Sequence, residues 1–164
     1  MEPLRCLIYL IILGIVSYPA GRLISRRDPD PESFIFRERS WEKSGTVYDR
    51  LNIRRWKNRI PDISRVLKGK MPAKELRPGF TEDQIRIMIR ETCTAEAIHG
   101  LLNLFGIRLL QLWKGTGGIV LFLIYVFLGN VPFILVQRYN RPRLKRLLQK
   151  LQQGDKEPAE LSDI

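Results

Sequence analysis

The stretch GTGGIVLFLIYVFLGNVPFILVQ, residues 115–137, decides the fold because it holds no charged side chain over 23 consecutive residues. An α-helix rises about 1.5 Å per residue, so this stretch is long enough to cross a hydrocarbon core of about 30 Å. Five basic residues follow it within nine positions: Arg138, Arg141, Arg143, Lys145 and Arg146. Because Lys and Arg are enriched on the cytoplasmic side of a span, the C-terminal end of this helix is predicted to face the cytoplasm.

A second apolar run, residues 6–21, lies near the N-terminus and also contains no charge. Its densest part is short enough to be the core of a cleaved signal peptide. A signal peptide carries positive charge before its apolar core, whereas Arg22, Arg26 and Arg27 follow this one. Tyr18 would also occupy a position that cleavage reserves for small residues. We therefore expect residues 6–21 to be a retained span.

Residues 92–113 form a third candidate span, although they include Glu96 and His99. The distribution of charge supports this crossing. If the segment crosses, residues 22–90 and 138–164 lie in the cytoplasm and hold 18 and 7 basic residues, which is 25 of the 28 in the chain. The sequence thus predicts three transmembrane helices, with the N-terminus outside and the C-terminus in the cytoplasm.

The chain of 164 residues carries 28 Lys and Arg against 17 Asp and Glu, a formal net charge of +11. Such a charge can indicate nucleic-acid binding, for which residues 54–59 offer a basic and aromatic run. Orientation in the bilayer and attraction to anionic headgroups explain basic residues beside spans more simply. Long apolar runs alternating with arginine-rich segments exclude a disordered basic tail, a disulfide scaffold and a simple soluble enzyme. The predicted fold class is an all-α integral membrane protein that binds no nucleic acid.

The remaining segments are predicted to lie on the cytoplasmic surface of the membrane. Residues 22–90 are too poor in apolar clusters to build a large core, and aromatic residues recur among their Arg and Lys. Within them, Thr81 and Gln84 match a capping box that should begin a helix leading into the middle span. In residues 138–151, leucines recur at helical spacing among basic residues, which predicts a basic amphipathic helix on the inner leaflet. A calmodulin target shows the same pattern. Residues 152–164 are polar and are predicted to be a disordered tail.

Polar side chains follow one face of the middle helix: Thr92, Glu96, His99 and Asn103. Ionisable groups at membrane depth are costly and usually mark a functional site. His99 is the only histidine and Glu96 precedes it by three residues, so the carboxylate could orient the imidazole as a general base. A di-iron site needs a second Glu-x-x-His pair, which the chain lacks, so no metal is predicted. The alternative, in which the pair only joins helices by hydrogen bonds, remains open.

A second polar set lies at the same predicted depth, near the end of the last span. Asn130, Gln137 and Tyr139 could orient a substrate or donate hydrogen bonds to a developing oxyanion, as could Asn103. Pro132 could open the helix beside them and free a backbone carbonyl. The arginines that could bind a phosphate or carboxylate of an anionic donor are Arg138, Arg141 and Arg143. Their alternative role is to set the orientation of the span.

Several familiar catalytic motifs are missing from the chain. It has no Gly-x-Ser-x-Gly elbow, phosphate-binding glycine loop, His-x-x-x-x-Asp box or Cys-x-x-Cys motif. What remains is one histidine with a nearby carboxylate, amides and arginines at a membrane interface. This set suits removal of a proton from an alcohol and binding of an anionic donor.

The stretch NVPFILVQRYNRPRL, residues 130–144, resembles the glycosyl-diaponeurosporenoate acyltransferases, the CrtO-type enzymes of C30 carotenoid biosynthesis. Three further blocks resemble the same family and occur in order. They are Trp41-Glu42-Lys43 with Gly45 and Tyr48, Trp56-Lys57 with Pro61-Asp62, and Glu91-Thr92 with Ala95-Glu96 and His99. Together these blocks cover roughly residues 36–151.

The resemblance implies a bacterial membrane enzyme that esterifies the primary hydroxyl of a sugar, carried by a carotenoid acid, with a fatty acyl chain. The acyl group would come from a thioester co-substrate, and no cofactor is implied. Joined to this chemistry, His99 is the predicted base, Glu96 orients it, and the three arginines hold the phosphates of the donor. Two alternatives remain: an acyltransferase for another glycolipid, and a non-catalytic membrane adaptor that assembles pigment enzymes.

Overall fold

The computed structural model describes residues 1–57 and 81–153, and every regular element in those two ranges is helical. The predicted all-α class is therefore confirmed. The elements are α1 (Glu2–Arg26), a 3₁₀ segment (Ser40–Leu51), α2 (Ile53–Trp56), α3 (Glu82–Gly106), α4 (Leu109–Leu112), α5 (Thr116–Ile124), a π-helical segment (Tyr125–Asn130) and α6 (Val131–Gln152). The predicted tail beyond residue 153 and the Pro61-Asp62 block lie outside the described residues.

Helix α3 begins at the predicted capping box. The Thr81 hydroxyl oxygen accepts from the backbone N–H of Gln84 at 3.4 Å, and the Gln84 side-chain oxygen accepts from the backbone N–H of Thr81 at 3.0 Å. Both bonds satisfy amides that a helix N-terminus otherwise leaves unpaired. The helix then runs unbroken for 25 residues, so the amphipathic lead-in and the start of the middle segment form one element.

Helices α3 and α5–α6 form an antiparallel hairpin. Near its turn, a Cβ atom at Gly106 would lie 2.7 Å from the ring of Tyr125. At its open end, the Gln152 side chain donates to Glu82 at 3.2 Å. The turn itself is tight, since a Cβ atom at Gly118 would lie 1.8 Å from the carbonyl oxygen of Trp113. Only glycine allows the chain to reverse so closely there.

Helix α1 packs on another side of α3, also antiparallel to it. The Tyr9 hydroxyl donates to the carbonyl oxygen of Phe105 at 2.9 Å, and Arg90 forms an ion pair with Asp28 at 2.6 Å. Because α3 is antiparallel to both of its neighbours, α1 and α5–α6 run in the same direction. The N-terminus therefore lies at the same end of the bundle as the turn near Trp113.

Two helical stretches, not three, are long and apolar enough to cross a membrane in the described part of the chain: Glu2–Arg26 and Thr116–Gln152. Within the most apolar 18-residue window of each helix, the share of residues buried inside the protein is 0% for Glu2–Arg26 and 6% for Thr116–Gln152. The prediction of a third span of the same kind is wrong, because α3 carries too many charged residues. The polar face of α3, which includes the buried Glu96, forms hydrogen bonds with α6.

The C-terminal part of the chain also differs from its prediction. Helix α6 continues through Pro142 to Gln152, so no break separates the last apolar stretch from the basic segment 138–151. Three of the four leucines predicted to lie on the inner leaflet pack on the first turns of α3 instead, whereas Leu151 is exposed. This cluster consists of Ile85, Met88, Ile89, Leu144, Leu147 and Leu148. The amphipathic first turns of α3 and the amphipathic C-terminal part of α6 thus cover each other's apolar faces.

Residues 28–57, here called the cap segment, pack against α6. Tyr48 and Ile53 are buried with Tyr139 of that helix. Gly45 adopts a φ of +82°, and a Cβ atom there would lie 3.0 Å from a guanidinium nitrogen of Arg143. The prediction that this region only lies on the membrane is therefore corrected for its described part. Its exposed large apolar residues are Phe34, Ile35, Trp41 and Leu51.

The hairpin can be tested with two glycines of α3. Replacing Gly106 by Ala should lower stability by about 1–3 kcal/mol, because the new methyl group overpacks the ring of Tyr125. Replacing Gly100 by Ala should raise stability by about 0.5–1 kcal/mol, because a Cβ atom there meets nothing within 4 Å and alanine favours the helix. Thermal unfolding of both variants in detergent measures the difference. Equal midpoints would contradict the close approach of α3 and the π-helical segment.

Candidate active site

The polar face of α3 meets the basic turns of α6 at the open end of the hairpin. Thr92, Glu96 and Arg141 are buried there, with 6%, 6% and 3% of their surface exposed. The prediction that the two polar sets converge is confirmed. Gly21 of α1 lies beside Ile98 of α3, so this level corresponds to the end of the apolar run in α1. The site therefore lies where the apolar layer of the bundle stops.

Glu96 binds two arginines at once. One carboxylate oxygen accepts from Nε of Arg138 at 2.8 Å, and the other accepts from Nη2 of Arg141 at 2.5 Å. Arg141 also donates through Nε to the hydroxyl oxygen of Thr92 at 2.8 Å. That hydroxyl donates in turn to the carbonyl oxygen of Ile89 at 2.6 Å. Charge-assisted bonds of this kind are the strongest hydrogen bonds in proteins.

The cap segment completes the cluster from the opposite side. Nη1 of Arg138 donates to a carboxylate oxygen of Glu42 at 2.5 Å, and its Nη2 donates to the carbonyl oxygen of Ile35 at 2.9 Å. Nη1 of Arg141 donates to the carbonyl oxygen of Phe36 at 2.6 Å. Two arginines, Glu42 and Glu96 thus form a cluster with no net charge. We call these four residues the arginine–carboxylate cluster.

Glu42 is the member of this cluster that residue-by-residue reasoning missed. It is 2% exposed and accepts a hydrogen bond from the Tyr48 hydroxyl at 3.0 Å. Burial raises the pKa of Tyr48, and the neighbouring carboxylate of Glu42 raises it further. Tyr48 therefore stays protonated and keeps donating. The family block Trp41-Glu42-Lys43 with Tyr48 was the only signal in the sequence that could have identified the pair.

The predicted role of Arg138 and Arg141 as ligands of an anionic donor stays a prediction. Each of their guanidinium nitrogens already donates to a protein oxygen. In the folded chain they bind the cap segment to the hairpin. Arg143 has a different position, since it pairs with Asp49 at 2.8 Å and donates to the carbonyl oxygen of Tyr139.

His99 is held by an amide. Its Nδ1 lies 2.9 Å from Oδ1 of Asn130, and its ring stacks on Phe133 at 4.5 Å between centroids. The amide nitrogen of Asn130 donates to the carbonyl oxygen of Tyr125 at 3.0 Å, within the π-helical segment that precedes Pro132. Since Oδ1 can only accept, Nδ1 of His99 must carry a proton. The acceptor nitrogen of the neutral imidazole is then Nε2.

Asn130 thus occupies the place that the sequence suggested for Glu96 as the group that orients His99. The irregular backbone explains why. A π-helical turn shifts the backbone hydrogen-bond pattern by one residue. The side-chain amide nitrogen of Asn130 donates to the backbone carbonyl oxygen of Tyr125, at the start of this turn. The predicted opening of the helix at Pro132 was the signal for this arrangement, although its consequence for His99 could not be read from spacing.

The other predicted site residues lie farther along the same helices. Asn103 lies one turn beyond His99, and its side-chain oxygen is buried without a hydrogen-bond partner in the described part of the chain. Gln137 is half-buried on α6. Tyr139 is buried, with the guanidinium of Arg143 3.6 Å and the ammonium of Lys57 5.1 Å from its ring centroid. The oxyanion and substrate-orienting roles of these residues stay predictions.

The site thus combines an oriented histidine with a buried charged cluster, among apolar helices whose large side chains are exposed. Comparison with known families gives the class. The family described as "Glycosyl-4,4'-diaponeurosporenoate acyltransferase", CrtO, matches residues 31–150. The chain belongs to this family, as the sequence blocks had indicated, and is an acyl-transferring enzyme. The alternative of a non-catalytic adaptor is therefore wrong.

Curated relatives with the same name match the chain over nearly their whole length. Proteins named glycosyl-4,4'-diaponeurosporenoate acyltransferase from Staphylococcus aureus strains MRSA252 and N315 are 31% and 32% identical to the chain over 148 residues. The protein from strain bovine RF122 / ET3-1 is 31% identical over the same length. Each match covers 89% of this chain and 87% of the relative. No solved structure matches the fold.

The arginine–carboxylate cluster predicts a large stability effect at Glu96. Changing Glu96 to Gln should destabilise the protein by about 3 kcal/mol, because it leaves a buried guanidinium without its counter-charge. Glu82 offers a matched control on the same helix, since it pairs with Arg86 at 3.7 Å with both side chains nearly half exposed. Glu82→Gln should cost less than about 0.5 kcal/mol. Similar unfolding midpoints for the two variants in detergent would contradict a structural role for the cluster.

Proposed function

We propose that this enzyme transfers a fatty acyl chain from a thioester to the primary hydroxyl of a sugar carried by a carotenoid acid. The names of the relatives support the acceptor, and one structural observation supports the chemistry. That observation is the chain of hydrogen bonds from His99 through the Asn130 amide to the carbonyl oxygen of Tyr125. It orients the one histidine with Nδ1 protonated and Nε2 as the basic nitrogen.

In the proposed reaction, Nε2 of His99 accepts the proton of the sugar hydroxyl as its oxygen attacks the thioester carbonyl. The new carbon–oxygen bond forms first, and the carbon–sulfur bond then breaks. The proton passes from His99 to the departing thiolate, so the base is regenerated. Oδ1 of Asn130 stabilises the imidazolium that forms between these steps, because it accepts a hydrogen bond from Nδ1. Asn103, one turn away, is our candidate for contact with the developing oxyanion.

We also propose that the bundle is embedded in a bacterial cell membrane. The two apolar helices expose their large side chains, which water would penalise at roughly 25 cal/mol per Å² of apolar surface. Both run in the same direction, and the polar α3 packs antiparallel to them with its charged face against α6. The basic end, with Arg22, Arg26 and Arg27, would then face the cytoplasm.

This placement suits an acceptor with a long apolar tail. A carotenoid would stay in the hydrocarbon layer while its sugar reached the level of His99, about one helical turn inside the arginine–carboxylate cluster. No described side chain is placed to recognise a polyene by its shape or polarity. A second candidate function is therefore acylation of another glycolipid with the same head group.

Transfer by the purified enzyme in lipid nanodiscs tests both possibilities. The assay contains a fatty acyl thioester and either a glucosylated carotenoid acid or a glucosylated alkyl lipid. Mass spectrometry should show faster acylation of the carotenoid, the acceptor that the names of the relatives support. Acylation of the alkyl lipid at an equal rate would shift the proposal to a general glycolipid acyltransferase. Failure with both acceptors, under conditions where the protein remains folded, would reject a sugar hydroxyl as the acceptor.

The histidine and its amide should act as one unit. His99→Ala should lower kcat about 100-fold or more, the scale of losing a general base, and Asn130→Ala should lower it about tenfold. The double variant should be no worse than His99→Ala, because Asn130 acts only through the imidazole. Thr94→Ala, on the same helix, is the control and should retain full activity. If His99→Ala keeps most of its activity, another group is the base.

Orientation can be measured with single cysteines in a variant that lacks Cys6 and Cys93. A cysteine at Lys114, in the turn of the hairpin, should react with a membrane-impermeant maleimide added outside intact cells. A cysteine at Gln153 should react only after the cells are opened, because the basic end faces the cytoplasm. Labelling of the two positions in the reverse order would invert the proposed topology.

A further inference from the structure

The cap segment turns back toward the apolar layer of the bundle after it leaves α1. Glu32 pairs with Lys145 of α6, whereas the carbonyl oxygen of Ile35 accepts from Arg138 of the same helix at 2.9 Å. Arg138 and Lys145 are seven residues apart, which corresponds to about 10 Å along the helix axis. Because the apolar stretch of α6 ends just before Arg138, the chain approaches the apolar layer between Glu32 and Ile35.

Large apolar side chains are exposed where the cap segment reaches this level. Phe34 and Ile35 are 69% and 64% exposed. Trp41 is 57% exposed, and the next residue, Glu42, binds Arg138 as Ile35 does. Exposed apolar groups of this size usually mark a surface that contacts a membrane or another molecule. Here they continue the exposed apolar surface of the two long helices.

Two arginines lie over the exposed ring of Phe34. The guanidinium carbons of Arg39 and Arg37 are 4.4 Å and 5.1 Å from the ring centroid. Arg39 also donates through Nη2 to the carbonyl oxygen of Phe34 at 2.8 Å, which holds its side chain in place. Neither arginine takes part in the ion pairs of the described residues. We call Phe34, Ile35, Arg37 and Arg39 the Phe34 tip.

This combination matches the boundary between acyl chains and headgroups. An apolar side chain gains free energy among acyl chains, and a guanidinium a few ångströms away can reach the phosphates. Guanidinium groups bind phosphate through paired hydrogen bonds. The aromatic ring keeps both guanidinium groups beside the apolar side chains, so one short turn presents both kinds of contact.

We propose that the Phe34 tip binds an anionic phospholipid of the adjacent leaflet, with Phe34 and Ile35 against its acyl chains and Arg37 and Arg39 on its phosphate. The positive charge of the tip and its continuity with the apolar helices favour lipid over a second protein as the occupant. The inference rests on the proposed embedding of the bundle in a membrane, and it is independent of the proposed acyl transfer.

The depth of the tip can be measured with single cysteines in a variant that lacks Cys6 and Cys93. Each cysteine carries a nitrobenzoxadiazole dye, and the full-length protein is placed in nanodiscs whose lipids bear a nitroxide on the acyl chain. A dye at Ile35 should be quenched, and its emission should shift to shorter wavelength than in detergent. A dye at Glu32, on the same segment but farther out, is the matched control and should be quenched several times less.

A dye at Ile11 of α1, which is 53% exposed, reports separately whether the bundle is embedded. Quenching at Ile11 without quenching at Ile35 would overturn the proposed tip and leave the embedded bundle standing. Absence of quenching at both positions would reject the embedding, and the tip with it. Equal quenching at Ile35 and Glu32 would contradict the insertion of the tip. None of these outcomes depends on transfer activity.

The headgroup preference can be measured with the same dye at Ile35. Nitroxide-labelled phosphatidylglycerol or phosphatidylcholine replaces an increasing fraction of the lipid in phosphatidylcholine nanodiscs, and the fraction that gives half-maximal quenching is recorded. This fraction should be several times lower for phosphatidylglycerol. Arg37→Gln should reduce the preference roughly fivefold, the contribution of one basic residue near an anionic leaflet. Arg37→Lys should restore most of it, because the positive charge returns.

Arg86→Gln is the charge-matched control for this titration. Arg86 is exposed near the start of α3 and pairs with Glu82 at 3.7 Å, so its loss should leave the preference unchanged. Thermal unfolding of each variant in detergent checks that the fold is intact. Equal half-maximal fractions for the two lipids with Arg37 in place, or an equal loss in Arg37→Gln and Arg86→Gln, would overturn the anionic lipid site.

Discussion

Two arginines one helical turn apart, Arg138 and Arg141, need counter-charges because they are held at the edge of an apolar bundle. Glu96 of α3 provides one and Glu42 of the cap segment provides the other. Isolated charges cannot be buried, whereas neutral groups of charges can be when every donor is satisfied. The packing of α3 on α6, and of the cap segment on both, follows from this requirement.

The cluster also explains how structural and chemical roles are divided along α3. Glu96 has both oxygens on arginines, so the orientation of His99 passes to the Asn130 amide. An amide is well suited to this place, since it accepts from the imidazole and donates to a backbone carbonyl without adding a charge to the apolar layer. The charged cluster holds the helices in register, and the neutral pair performs the proposed proton transfer one turn deeper.

Periodicity placed Thr92, Glu96 and His99 on one face and predicted that this face meets the last span, as it does. The distribution of charge predicted three spans, whereas two helices of the described residues are long and apolar enough to cross a membrane. Helix α3 is not one of them, because the face that pairs with α6 carries charged side chains. In the same way, the leucines of residues 138–151 were assigned to the leaflet, since a sequence pattern shows that a face is apolar but not what covers it.

The sequence by itself determined the helical class, the two apolar helices, the capping box at Thr81 and, through its blocks, the acyltransferase family. These are properties of local order: hydropathy, periodicity and runs of matching residues. Which acid pairs with which arginine, and which amide holds His99, was decided only by the tertiary structure. Glu42 and Arg138 are 96 residues apart in the chain, and several acids could have served. Their pairing depends on where the hairpin and the cap segment bring side chains together, a long-range geometry that no local pattern encodes.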